Sequence, residues 1–204
     1  LHKEYRRQRQ MCIRDSGKSV SLQQINGASR EEFVSALRPL FNNETWPLEL
    51  AWESRPFGDV NELRAAIQVA VLTADDSRRA ALIHDYPAMD ELLLADADEA
   101  ATISADRGSL GLTDLDDVQT ERITELSAAY RERFGMPFVA YLDTNDTVDR
   151  VIDAGVRRLA NSPEQENRTA LGEIVEIAND RFDILLADAN PVRSSWDRKF
   201  TEVD

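Results

Sequence analysis

Apolar residues recur along most of this chain at intervals of three and four, the spacing that lines one face of a helix. Ser29 and Glu32 have the separation of a cap and its return partner, and Phe33, Ala36, Leu37, Leu40 and Phe41 follow at helical intervals. That pattern predicts a helix over about 30–41. Trp46, Leu48, Leu50, Ala51 and Trp52 mark a short second helix that Arg55-Pro56 ends, because a proline ring pushes its predecessor out of the helical region. Asp59 and Glu62 repeat the capping spacing before Leu63, Ile67, Ala70 and Val71, and a fourth helix is predicted over about 76–83.

The stretch 95–112 has no sustained period and only small or polar residues apart from a few scattered apolar ones, so it reads as a loop around a short helical turn and as the most site-like part of the chain. A long helix follows with Leu115, Val118, Ile123, Leu126 and Tyr130 facing inward, and Gly135 supplies its left-handed stop. Residues 136–142 form an extended apolar run. Asp146 can cap a helix that holds Val148, Val151, Ile152, Val156 and Leu159, with Asn161 just past its end. Ser162, Pro163 and Gln165 give the last helix, about 163–187, a cap, a proline in its first turn and a capping-box partner. The expected fold class is therefore all-α, one compact bundle of about eight helices.

Composition narrows the range of functions. A chain of 204 residues with 42% hydrophobic side chains can bury one sizeable core, and its net charge of -14 repels phosphate backbones and anionic membranes. Neither nucleic acid nor a membrane is an expected partner. No run approaches eighteen apolar residues and no apolar signal region opens the chain, so a cytoplasmic protein is expected. A single cysteine, Cys12, allows no internal disulfide and no cysteine-based metal site, and no pair of histidines has metal-ligand spacing; no metal is expected.

Residues 1–16 differ from the rest. They hold five basic and two acidic residues, whereas the whole chain has 24 and 38. The segment resembles translated adapter sequence and is read as non-native or disordered, which leaves 17–190 as the folded domain and 191–204 as a tail. His84 is then the one histidine of the body of the protein.

Five segments, in order, resemble one known family. They are FVSALRPLFNNETWPLELAWESRPF at 33–57, LIHDYPAM at 82–89, SADRGSLGL at 104–112, LSAAYRERFGMPFVAYL at 126–142 and RRLANSPEQENRTALGEIVEIANDRFDILL at 157–186. They are similar to segments of the OHCU decarboxylase family, where OHCU is 2-oxo-4-hydroxy-4-carboxy-5-ureidoimidazoline. The likeness lies in an Arg-Pro-Phe end, a His-Pro turn, a Ser-x-x-Glu-Gln loop, a Phe-Gly-x-Pro-Phe-Val run and a final Arg-Leu.

The resemblance implies a carboxy-lyase of urate breakdown that forms allantoin without a cofactor, because the heterocycle itself holds the electrons left by carbon dioxide. The protein then has to bind a carboxylate and a ureido group, stabilise developing charge and deliver one proton. Counting back from Pro87 puts Tyr86 at the family's histidine position, with His84 two residues earlier as the other proton-donor candidate. Tyrosine is the weaker acid, with an unperturbed pKa near about 10. Asp106 and Arg107 stand at the Glu-Gln positions, Ser104 opens that motif, Phe138 and Val139 match the run whose backbone meets substrate, and Arg181 matches the late arginine.

The expected pocket is lined by the Tyr86-Pro87 turn, residues 104–107, the Phe138 segment and Arg181. Arg158 is read as tying a helix end to a neighbouring carboxylate, and Trp46, Trp52 and Phe57 as core. Tyr86, Asp106 and Arg107 depart from the family pattern, which keeps open a second reading: a repurposed member that binds an anionic small molecule, or a decarboxylase of a related heterocycle. The sequence itself does not give the oligomeric state, and the family resemblance points to a homodimer.

Overall fold

Side-chain oxygens cap the starts of most helices in this protein, which is why short polar signals locate their boundaries. The computed structural model describes residues 21–94, 115–141 and 147–186, and all regular structure among them is helical. In chain order these residues form α1 (Leu22–Gly27), α2 (Arg30–Leu37), a 3-10 turn (Arg38–Leu40), α3 (Trp46–Trp52) and α4 (Val60–Thr73). There follow α5 (Asp76–His84), α6 (Met89–Leu94), α7 (Asp117–Phe134), α8 (Val148–Arg158) and α9 (Pro163–Leu185). Among them, no helix is long and apolar enough to cross a membrane. Residues 1–16, the stretch 95–112 expected as a loop, with Ser104, Asp106 and Arg107, the expected cap Asp146 and the expected tail 191–204 all lie outside the described residues.

Reciprocal capping boxes start α1, α2 and α7, through Ser21 with Gln24, Ser29 with Glu32 and Asp116 with Gln119. Gly135, at φ 66°, ends α7 in the left-handed region and returns its N–H to the Arg131 carbonyl at 3.0 Å. Three expectations change. The helix expected over 30–41 tightens into a 3-10 turn after Leu37, because Pro39 has no N–H for the α ladder. Thr147 caps α8 by accepting from the Arg150 N–H. Val118 is 64% exposed, so the inward face of α7 consists of Ile123, Leu126, Ser127 and Tyr130.

Contacts divide the chain into two compact units. The described parts of the first are 21–41, Thr45–Ala70 and 179–186. In it Phe33, Leu37, Leu40, Leu48, Phe57, Leu63 and Phe182 are buried. Asn26 satisfies both backbone groups of Phe57, donating to its carbonyl at 2.8 Å and accepting from its N–H at 2.9 Å. The Arg55 guanidinium lies 4.2 Å from the Trp52 ring centre and donates to the Asn26 and Ala28 carbonyls. The Arg55-Pro56-Phe57 sequence, with its cis Arg55–Pro56 bond, therefore braces α1 against the end of α3. Arg64 and Gln68 of α4 reach Asp183 and Asn179 of α9.

The second unit comprises Asn42–Glu44 and Val71–Ala178. Its core holds Met89, Ile123, Leu126, Tyr130, Phe138 and Ile152, with the Tyr130 ring 4.9 Å from Phe138 and 5.3 Å from Phe134, centre to centre. Helix α8 approaches this core through Gly155. A Cβ there would lie 2.5 Å from the Leu126 Cδ2 and 2.8 Å from the Phe138 Cζ.

In an open helix a Gly-to-Ala change gains about 1 kcal/mol, whereas overpacking a close contact costs about 1–3 kcal/mol. Gly155→Ala is accordingly expected to lower the thermal unfolding midpoint, which calorimetry would measure; a raised midpoint would mean that α8 does not pack this tightly.

Candidate functional site

Helix α5 ends at His84, and the chain then turns through Tyr86 and Pro87 into α6. His84 is exposed on the last turn of α5, Tyr86 is buried and Pro87 is half-buried. The turn is held from both sides. Before it, the Asp85 carboxylate accepts from the Asn43 N–H at 2.6 Å, the Asn43 Nδ2 at 2.7 Å and the Glu44 N–H at 3.2 Å, while the Asp85 carbonyl accepts from the Asn42 Nδ2.

After the turn, Asp90 takes the Arg131 guanidinium at 2.7 Å and its N–H donates to the Ser127 hydroxyl. Burial pushes the Asp90 carboxyl up, but hydrogen bonds from Arg131 and Ser127 outweigh it and hold the group below the usual aspartate range.

Residues 136–141, between α7 and α8, form neither helix nor strand. Phe138 and Val139 are buried, yet side chains rather than a β-ladder hold this stretch. The Arg158 Nη1 donates to the Val139 carbonyl at 2.9 Å, and the Tyr141 N–H donates to the Glu173 Oε2 at 2.7 Å. Arg158 also lies 5.1 Å from the Phe138 ring centre. Among the described residues the N–H groups of Phe138, Val139 and Ala140 make no hydrogen bond. Buried backbone donors ordinarily find a partner, so each of these three donors is a candidate to receive an oxygen atom of a ligand.

The guanidinium is fixed by two acids of α9. Glu166, fully buried, accepts from the Arg158 Nη2 at 2.6 Å, the Arg158 Nε at 3.0 Å, the Asn161 Nδ2 at 2.7 Å and the Tyr130 hydroxyl at 3.3 Å. Glu173 lies 3.5 Å from the Arg158 Nη1. Burial pushes the Glu173 carboxyl up, against the pull of the Tyr141 N–H and of Arg158. Burial also raises the Tyr130 hydroxyl above its ordinary range; Arg158 opposes the shift and Glu166 adds to it.

Of the expected site residues, Tyr86, Pro87, Phe138 and Val139 belong to the second unit, where Met89 and Phe138 share one core. Arg181 belongs to the first unit and donates to the Leu40 carbonyl at 3.3 Å. Asp106, Arg107 and Ser104 lie outside the described residues. Arg158 ties the end of α8 to a carboxylate, as its sequence position implies. Glu166, Glu173 and Asp85 have no role expected from the sequence. The available signal for the first two was their separation of seven, which places both on one helix face with the buried Ala170.

A family model described as OHCU decarboxylase matches residues 26–183. The chain is 38% identical over 165 residues to the 2-oxo-4-hydroxy-4-carboxy-5-ureidoimidazoline decarboxylase of Haloferax volcanii, covering 80% of this chain and 94% of that protein. It is 33% identical over 181 residues to the Mus musculus protein of the same name, covering 85% and 98%.

Among solved structures, an (S)-allantoin synthase superposes with a TM-score of 0.61 at 23% identity, over 80% of this chain and 53% of that one, so this chain spans about half its length. An OHCU decarboxylase crystallised in the presence of (S)-allantoin gives a TM-score of 0.56 at 16% identity, over 78% and 99%. At these identities the structural likeness is one of fold.

Two outcomes are expected from the side chains that hold the site. Glu166→Ala leaves Arg158 buried without its main counter-charge and should cost about 3–5 kcal/mol in denaturant unfolding; a loss under about 1 kcal/mol, the value for an exposed pair, would contradict the geometry. Because Asp90 is depressed in the folded state, its contribution is present above the unfolded carboxylate value of about 3.9 and is lost as pH falls through the folded one. Asp90→Asn should therefore be less stable than the parent at neutral pH, with the gap closing in acid below about pH 4.

Proposed function

We propose that this chain, which belongs to the OHCU decarboxylase family, decarboxylates 2-oxo-4-hydroxy-4-carboxy-5-ureidoimidazoline to allantoin in urate breakdown. The observation that carries the proposal is the match to the Haloferax volcanii decarboxylase over 94% of that protein's length. In this reaction the bond to the carboxylate breaks, its electron pair passes into the imine-like ring bond, carbon dioxide leaves and one proton is added to ring carbon. The substrate is its own electron sink, so the protein's tasks are binding, charge stabilisation and proton delivery.

The roles are assigned from the chemistry of the side chains and from the family resemblance. The open N–H groups of Phe138, Val139 and Ala140 receive oxygen atoms of the heterocycle or its ureido arm. Arg181 grips the carboxylate, for which a guanidinium offers paired donors. Tyr86 is the proton donor; its burial, against the exposure of His84 on the last turn of α5, favours it over His84. Asp106 serves as polar partner, with Ser104, Arg107 and Pro87 completing the contacts. We extend the proposal to a cytoplasmic setting, as expected from the sequence, and to a homodimer on the family resemblance.

A second reading has one specific observation in its favour. Tyr86 stands where the family resemblance puts a histidine, which suits a member that binds an anion without turning it over.

One experiment separates the two readings. Purified protein is mixed with freshly generated OHCU, and chiral allantoin is followed by circular dichroism. The parent chain should accelerate formation of one enantiomer, and Tyr86→Phe should lose about 10²–10⁴-fold in kcat, the range of a general acid. Arg181→Ala should raise KM more than it lowers kcat. Activity confined to Tyr86→His would favour the binding reading, and no acceleration by any form would overturn the decarboxylase.

A further inference from the structure

Among the described residues two side chains, Arg158 and Glu173, hydrogen-bond the backbone of 136–141, and nothing in the sequence assigned a role to the second. The Val139 carbonyl is held by Arg158, and the N–H two residues further on is held by Glu173. Glu173 also stands 3.5 Å from the same Arg158 nitrogen, so it fixes the Tyr141 end directly and adds to Glu166 in holding the guanidinium that carries the Val139 end. Between and beside these anchors lie the N–H groups of Phe138, Val139 and Ala140, which make no hydrogen bond among the described residues.

We propose that Glu173 is a positioning residue: the length of its side chain sets where the N–H groups of Phe138, Val139 and Ala140 stand, and hence how well they receive the oxygens of the substrate. The inference rests on the decarboxylase reading for the identity of that substrate. Glu166 acts on the segment only at one remove, through Arg158, since it takes up Arg158, Asn161 and Tyr130 and hydrogen-bonds no backbone group of 136–141.

Length and charge separate cleanly at this position. Glutamine keeps the length and an acceptor oxygen for the Tyr141 N–H but loses the charge. Aspartate keeps the charge but withdraws the acceptor by one carbon–carbon bond, about 1.5 Å. Loss of register across hydrogen-bond donors is worth about tenfold in binding, the equivalent of one good hydrogen bond. Glu173→Gln should therefore keep KM for OHCU within about twofold, and Glu173→Asp should raise it about tenfold or more with a smaller change in kcat. A purely structural role would lower stability and the active fraction while leaving KM unmoved. A purely electrostatic role would reverse the order of the two variants. Either result overturns the proposal.

Two further readouts do not depend on turnover. Calorimetric binding of (S)-allantoin to the parent, E173Q and E173D should follow the same order as KM. If the parent binds (S)-allantoin in that order yet fails to turn OHCU over, the decarboxylase reading falls and the positioning role stands. If the parent turns OHCU over and neither KM nor binding follows the order, the positioning role alone falls. Should E173D fail to fold, amide hydrogen exchange of the unmodified protein decides: the Tyr141 N–H is expected to exchange slowly for a non-helical amide, and rapid exchange there would overturn the anchor.

Discussion

A carboxylate with no solvent exposure has to be neutralised where it stands, and Glu166 is neutralised by Arg158 at 2.6 and 3.0 Å. Much of the second unit's polar architecture follows from that pair. Asn161 and the Tyr130 hydroxyl saturate the remaining acceptor capacity, which couples the end of α8 to α7 and to the first turns of α9. With two of its nitrogens committed to Glu166, the guanidinium has its Nη1 left for the Val139 carbonyl. The buried ion pair thus acts as a fixed post from which an irregular segment is suspended. Its worth lies in geometry more than in net stability, since a buried pair repays little of its own desolvation.

The same logic explains why the segment is irregular. A β-strand would consume the N–H groups of Phe138, Val139 and Ala140 in a ladder, and a helix would consume them internally. Side-chain anchoring at Val139 and Tyr141 holds the chain still while leaving those donors open. A decarboxylation in which the substrate stores its own electrons asks for such a fixed set of donors and a proton source. The turn that carries Tyr86 is likewise pinned from both ends, by Asp85 on the residues at 42–44 and by Asp90 on Arg131 and Ser127.

How much of this was legible in the sequence depended on the range of the interaction. Capping is local, so Ser29 with Glu32 and the left-handed Gly135 were readable from three or four residues. The box of Ser21 with Gln24 carried the same signal, yet α1 is not among the helices expected from the sequence. Val118 fitted the helical period but stands 64% exposed, because the buried face of α7 narrows toward its start.

The acids of α9 were harder to read. A glutamate near a helix start, as Glu166 is, ordinarily complements the dipole at the surface, and one in mid-helix, as Glu173 is, ordinarily faces water; only the fold reveals that both face Arg158. Tyr86, Phe138, Val139 and Arg181 were marked by family resemblance, which no periodicity supplies.

The central claim is that the suspended segment is the edge on which substrate rests. Backbone amide hydrogen exchange of the whole chain, with and without saturating (S)-allantoin, tests it at single residues. The account predicts that ligand slows exchange at Phe138, Val139 and Ala140 more than at any helix interior. Unchanged exchange at those three amides, with protection appearing elsewhere, would contradict it.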